Sequence, residues 1–219
     1  MTTFIVIDFE TNGIDADSER AYAPHAEDDK PLPFENVPMQ LAAARLDAEG
    51  RVEKTVEVLV DAGATRVVPW VARHCPTLTV ERCRTEGVSM TKALELLSDL
   101  TTDPAQTTLV AHNLAYDWDD VIVATVVREQ LKENESFKRL AACSQYCTCI
   151  NPYLKSQKQS YYHTKLQKWL GPALSKLARY YDVEYEAELA HDAAYDVSIT
   201  AQCFANALKK GHVRYGSAR

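Results

Sequence analysis

Two periods of hydrophobicity alternate along this chain and predict an α/β domain. Phe4 to Phe9 is a nearly unbroken apolar run, the pattern of a strand buried on both faces. Gln40 to Leu46 and Arg51 to Val60 predict a second and a third strand. They are joined through Asp47-Ala48-Glu49-Gly50, whose glycine suits a tight turn, so these first three strands should be antiparallel neighbours. Ser89 to Leu100 has the spacing of an amphipathic helix, with Ser89 as N-cap and Ala93, Leu94, Leu97 and Leu100 as its apolar stripe. Thr107 to His112 predicts a fourth strand, Tyr116 to about Glu133 a helix, and Cys143 to Ile150 a fifth strand. Further helices are expected over about 174–181, with a start near Lys165 broken at Gly171-Pro172, and from about Asp192 to Lys210 before Gly211.

The first strand ends in Asp8 and Glu10 where the apolar run should continue. A strand has period two, so Val6, Asp8 and Glu10 share one face and Ile5, Ile7 and Phe9 the other. Both carboxylates thus point the same way, against mutual repulsion and the loss of hydration, unless a cation lies between them. Alone, such a pair is also what a solvated turn shows. Two further segments add to it. The strand ending at His112 and Asn113 leads into a helix whose first turn holds Asp117; Asp119 and Asp120 read as ordinary helix-start acids. His191 precedes the last helix, Asp192 reads as its N-cap, and Asp196 is left as an acid within the helix beside the small residues Ala193 and Ala194.

Composition narrows the partners. Net charge is −7 over 219 residues, so nucleic acid would not be held by a broad basic surface, and any phosphate binding must be local or helped by metal ions. With 46% hydrophobic residues the length suits one domain, residues 1–219. A long excursion at about 14–38, whose Ile14 to Pro38 stretch carries four prolines and seven acids, interrupts it, and a loose tail is expected after 211. No apolar run is long enough for a membrane span and no secretion signal is evident, so a soluble, intracellular protein without a membrane partner is expected. The six cysteines lack the paired spacing of common zinc modules and read as reduced thiols packed as small hydrophobes.

Taken in order, Asp8-Phe9-Glu10-Thr11 with Gly13, Ala111-His112-Asn113 leading to Tyr116-Asp117, and His191 five residues before Asp196 resemble the three motifs of the DnaQ-like DEDDh 3′→5′ exonucleases. The resemblance runs from about Phe4 to Leu208, and His191 fits the histidine branch, since Asp192 stands where the other branch has tyrosine. It implies a ribonuclease H-like fold: a mixed five-stranded sheet, antiparallel over strands 1–3 and parallel over strands 4–5, flanked by helices. It also implies that Asp8, Glu10, Asp117 and Asp196 bind two divalent cations, Mg²⁺ or Mn²⁺, with His191 as general base. Thr11, Asn12, His112, Asn113 and Tyr116 would contact the terminal nucleotide. The implied activity is release of nucleoside 5′-monophosphates from a DNA 3′ end, single-stranded or frayed. RNA is the alternative substrate, a polymerase or replication complex a candidate partner, and proofreading or DNA repair a candidate role. A third reading is a non-catalytic nucleic-acid or polymerase-binding module of the same fold.

Overall fold

A computed structural model of the chain describes residues 2–13, 36–159, 161–163 and 168–213. Most of the 14–38 excursion and the residues after 213 lie outside them. Strand β1 (Thr3–Thr11) is buried on both faces, as its apolar run predicts. It pairs antiparallel with β2 (Pro38–Leu46), which pairs antiparallel with β3 (Val52–Asp61). The turn between β2 and β3 closes on Asp47, whose Oδ1 accepts the N–H groups of Glu49 and Arg51. Gly50 adopts φ +82° there.

After β3 come α1 (Pro69–His74), α2 (Val80–Glu86), the two-residue β4 (Val88–Ser89) and α3 (Met90–Ser98). The Ser89 side chain caps α3 by accepting from Lys92 N–H, at the residue the sequence indicates. Strand β5 (Thr107–Ala111) pairs parallel with β1, and β6 (Ser144–Cys147) pairs parallel with β5. The sheet order is β4-β3-β2-β1-β5-β6. It holds the five expected strands in the expected directions, with β4 added parallel at the edge of β3.

Between β5 and β6 the expected long helix is shorter and of two kinds. Tyr116–Val123 is wound as a π-helix and continues into α4 (Ala124–Arg128), which ends before Gln130 at φ +58°; α5 (Glu135–Ala141) follows. After β6 come α6 (Pro152–Ser156), a separate ribbon of β7 (Tyr161–His163) and β8 (Lys168–Leu170), α7 (Leu174–Tyr180) and α8 (Ala193–Lys209). The helix expected from near Lys165 is therefore β8 at Lys168–Leu170, and α7 starts only after Pro172, which cannot continue a helix ladder. His212 does not hang loose: its N–H bonds Ala207 O at 2.9 Å and its ring stacks on Tyr153 at 3.7 Å. Among the described residues no helix is long and apolar enough to cross a membrane.

The two faces of β1 bury different partners. Ile5, Ile7 and Phe9 pack with Leu94 and Leu97 of α3 and with Trp118, Val121 and Ile122 of the π-helical segment. Phe4 and Val6 pack with Val197, Ala201 and Phe204 of α8, the Phe4 and Phe204 rings meeting edge to face at 4.8 Å. Ala42 and Ala44 on β2 keep this second face shallow, which lets α8 lie close to the sheet and brings its N-terminus beside the acidic end of β1. Gly50 belongs to the same contact, because a Cβ there would meet Ala205 Cβ at 2.7 Å. Gly50→Ala should cost about 1–3 kcal/mol in urea unfolding, from the strained φ and the forced retreat of α8. A cost under a few tenths of that would mean α8 is not seated on this turn.

Candidate active site

Asp8 and Glu10 lie on the face of β1 that α8 covers, beyond Val6 in the same period-two row. Glu10 is cross-strand from Gln40, and the register slips between Glu10 and Thr11, so the strand turns away just past the second carboxylate. Strand β5 has already ended at Ala111, which leaves the Phe9 N–H without a ladder partner. Asp117 takes its place: Oδ1 accepts from Phe9 N at 3.0 Å. The wide π turn that carries Asp117 is anchored on its far side by Trp118, stacked on Phe137 with ring centroids 6.0 Å apart.

The other half of the site is the entry to α8. Asp192 Oδ1 accepts from Tyr195 N at 3.0 Å as the helix N-cap. Gln40 reaches across from β2, accepting from Ala193 N and donating to Asp192 Oδ2, each at 3.4 Å. His191 sits just outside the helix in the left-handed region, at φ 67°. Its carbonyl accepts from the Cys75 thiol at 3.1 Å, and its N–H donates to Asp196 Oδ2 at 3.3 Å. One ligand atom each from Glu10, His191 and Asp196 lie within 4.8 Å of one another.

The electrostatics of the group are one-sided. Burial pushes the Asp8 and Asp117 carboxyls well above the usual range, and acidic neighbours add to it. Glu10 is pushed up to about 8, first by burial and then by Asp196, Asp117 and Asp192. Asp196 rises to about 6, again mainly by burial. Its Oδ1 is buried with no hydrogen-bond partner among the described residues. Carboxylates crowded in this way, with the buried Asp196 Oδ1 unpartnered among the described residues and ligand atoms of Glu10, His191 and Asp196 close enough to share an ion, fit a divalent cation. Burial and the nearby His74 hold His191 below the ordinary histidine value.

The remaining expected contact residues divide into two kinds. Thr11 Oγ1 and Tyr116 OH meet at 2.8 Å near Glu10 and Tyr116 OH donates to Asn36, though the buried Thr11 hydroxyl also lies 2.8 Å from Gly13 O. Asn113 turns the chain at φ 75° before the π segment. Asn12 and His112, in contrast, spend their polar atoms on the fold. Asn12 Oδ1 accepts from Val37 N and its carbonyl from Val68 N, both at 2.8 Å. The His112 ring lies between Thr148 Oγ1 and Pro172 O, and burial takes it down to about 4. Sequence reasoning missed Gln40, Cys75, Trp70 and His74. The Trp70 ring meets His191 edge on at 4.8 Å and stacks on His74 at 4.2 Å, so the segment around His74 lies beside the site. Helical spacing of Trp70 and His74 in a six-residue helix is too short a pattern to announce itself.

No protein-family model matches the chain, and no curated protein sequence matches it either. Solved structures do. Escherichia coli exonuclease I in complex with a dT13 oligonucleotide superposes with TM-score 0.62 at 18% identity over 94% of this chain. Exonuclease I from Methylocaldum szegediense gives 0.62 at 17% over 96%. A zinc-bound form of the E. coli enzyme with single-stranded DNA gives 0.61 at 18% over 95%. The chain has the ribonuclease H-like fold of these exonucleases. It spans 41% of the length of each of those chains.

Two measurements test the charge arrangement directly. The acids have folded pKa values above their unfolded ones, so the metal-free protein binds more protons folded than unfolded and loses stability as pH rises from about 4 through about 8. Its melting temperature should fall by several degrees from pH 5.5 to pH 8, and millimolar Mg²⁺ or Mn²⁺ should restore more of it at pH 8. Asp8→Asn should raise metal-free stability at pH 8 by about 1–3 kcal/mol while abolishing the cation effect. A cation-independent melting curve in the unsubstituted protein would exclude a metal centre here.

Proposed function

We propose that the chain is a divalent-metal-dependent 3′→5′ exonuclease that hydrolyses DNA phosphodiesters to nucleoside 5′-monophosphates. What supports this reading is the closeness of ligand atoms from Glu10, His191 and Asp196, with Asp8 and Asp117 buried near enough for their charges to act on the same acids. Fold likeness to exonuclease I, solved with DNA oligonucleotides, supports the same direction.

The four carboxylates would hold two divalent cations, which when bound neutralise the crowded charge, polarise the scissile phosphate and make water more acidic. The chain's own groups do the rest. His191, whose pKa is lowered by burial and by the nearby His74, takes a proton from the attacking water. Its backbone is fixed on both sides, by the Cys75 thiol on the carbonyl and by Asp196 on the N–H, so the ring is presented from a rigid corner. Asp117 ties the end of β1 through Phe9 N and keeps the carboxylates in register. Thr11, Asn113 and Tyr116 bound the place where a terminal nucleotide enters. With a net charge of −7, retention of the strand is local to this cleft.

The test is release of labelled mononucleotide from matched single-stranded DNA and RNA oligomers with Mg²⁺ or Mn²⁺. DNA is expected to be degraded from its 3′ end. Faster RNA turnover would move the substrate to RNA, because these groups act on phosphate and do not read the 2′-hydroxyl. No release from either would favour a non-catalytic binding module. Asp8→Ala should abolish turnover, and His191→Ala should lower it roughly 10²- to 10⁴-fold with cation affinity kept. Loss of cation affinity in the latter would make His191 a ligand instead of a base.

A further inference from the structure

Cys147, the last residue of β6, and Cys149 place their sulfurs 3.6 Å apart. The backbone N–H groups of Leu114, Ile150 and Cys149 lie near enough to the Cys147 sulfur to favour its thiolate. The Cys149 sulfur beside it has the largest effect, and together they bring the Cys147 thiol down to about 6 against the opposing effect of burial. Cys149 is pushed up in return, since it keeps the shared proton. The other thiols behave as packed hydrophobes: burial raises Cys75 and Cys203 to about 12 and Cys83 to about 11, and it raises Cys143 as well. Cys147 alone of the six keeps partial exposure. Among the described residues the one group of three metal-capable side chains is Glu10, His191 and Asp196, and it does not include the sulfur pair.

We propose that Cys147 and Cys149 form a dithiol modification site that hydrogen peroxide oxidises to an intramolecular disulfide. The Cys147 thiolate attacks one peroxide oxygen; the O–O bond breaks, the departing hydroxide takes a proton to become water, and Cys147 becomes a sulfenic acid. The Cys149 sulfur then attacks the Cys147 sulfur; the S–S bond forms, the S–O bond breaks, and hydroxide leaves with the Cys149 proton as a second water. Two thiols lose two electrons and two protons, and the peroxide is reduced to two waters. From 3.6 Å the sulfurs must approach by roughly 1.5 Å to reach S–S bonding distance.

That movement acts on the proposed nuclease site, and this part rests on the nuclease reading. Thr148, between the two cysteines, donates its N–H to Ala111 O at 2.9 Å and meets His112 Nδ1 at 3.0 Å. Cys147 itself is paired with Ala111 across the β5–β6 ladder, two residues before Asn113 on the strand that leads to Asp117. On the other side Gly171 packs so tightly that a Cβ there would meet Cys149 Cβ at 2.7 Å. Drawing the sulfurs together therefore pulls on the strap that seats Asn113 and Asp117.

The full-length chain is treated with hydrogen peroxide at pH 7, quenched with iodoacetamide and digested, and each cysteine peptide is weighed. The Cys147–Cys149 peptide should lose two hydrogens roughly tenfold faster than any other thiol is modified, and Cys149→Ser should leave a dimedone-reactive sulfenic acid on Cys147. Modification of Cys147 no faster than of Cys75, Cys83 or Cys203 overturns the proposal. In parallel, mononucleotide release should fall about tenfold on oxidation and return with dithiothreitol. A disulfide formed with no change in release overturns the coupling to the site. A reduced protein that releases nothing counts against the nuclease reading, and the peptide masses still decide the dithiol.

Discussion

Repulsion between carboxylates that the fold will not let separate is the constraint on which this molecule turns. Asp8 and Glu10 share a face by the period of β1, Asp117 is tied to the end of that strand through Phe9 N–H, and Asp196 is brought in by α8. Apolar packing on both sides of the sheet makes this arrangement affordable in free energy. Phe4 and Val6 under α8, and Ile5, Ile7 and Phe9 under α3 and the π segment, are buried to within 4% of full exclusion. Each such side chain contributes on the order of 1.5–3 kcal/mol, against which the raised carboxyl pKa values are the opposing cost.

The local devices at the site all serve placement. Asp117 sits on a π turn, which widens the helix by one residue where a carboxylate must reach back to a strand. His191 adopts a left-handed conformation, and its carbonyl and N–H are both engaged, by Cys75 and Asp196. Gln40 joins β2 to the first turn of α8, so the strand opposite Glu10 and the helix bearing Asp196 are held by one buried amide. Strain at a few residues is maintained because the surrounding packing leaves no easier arrangement.

Much of this was legible in the sequence, for physical reasons that can be named. The two-residue period of β1 and the spacing of the acids predict one shared face, and that face is the one α8 covers. Ser89 and Asp192 cap the helices they were expected to cap, because a side-chain oxygen before an apolar stripe is a local signal. Short elements left no such signal. Helices α1, α2, α5 and α6 have five to seven residues, too few for a helical period to emerge, and β4 has two. The ribbon strand Lys168–Leu170 was misread as helix because an isolated three-residue strand has no alternation to display. Gln40, Cys75 and Trp70 reach the site through contacts between segments distant in sequence, which no local pattern encodes.

The brace at Asn12 has a consequence for how the chain can vary. Its side chain accepts from Val37 N–H at 2.8 Å and its own N–H donates to Val37 O at 3.0 Å, so the two ends of the long excursion after β1 are clasped to each other at the strand end, while its backbone carbonyl accepts from Val68 N–H ahead of α1. The chain therefore leaves β1 and returns to β2 through one pair of residues, whatever the length of the excursion between them. One asparagine thus gathers the start of the excursion, its return at Val37 and the approach to α1 into a single clasp at the end of the strand that carries Asp8 and Glu10.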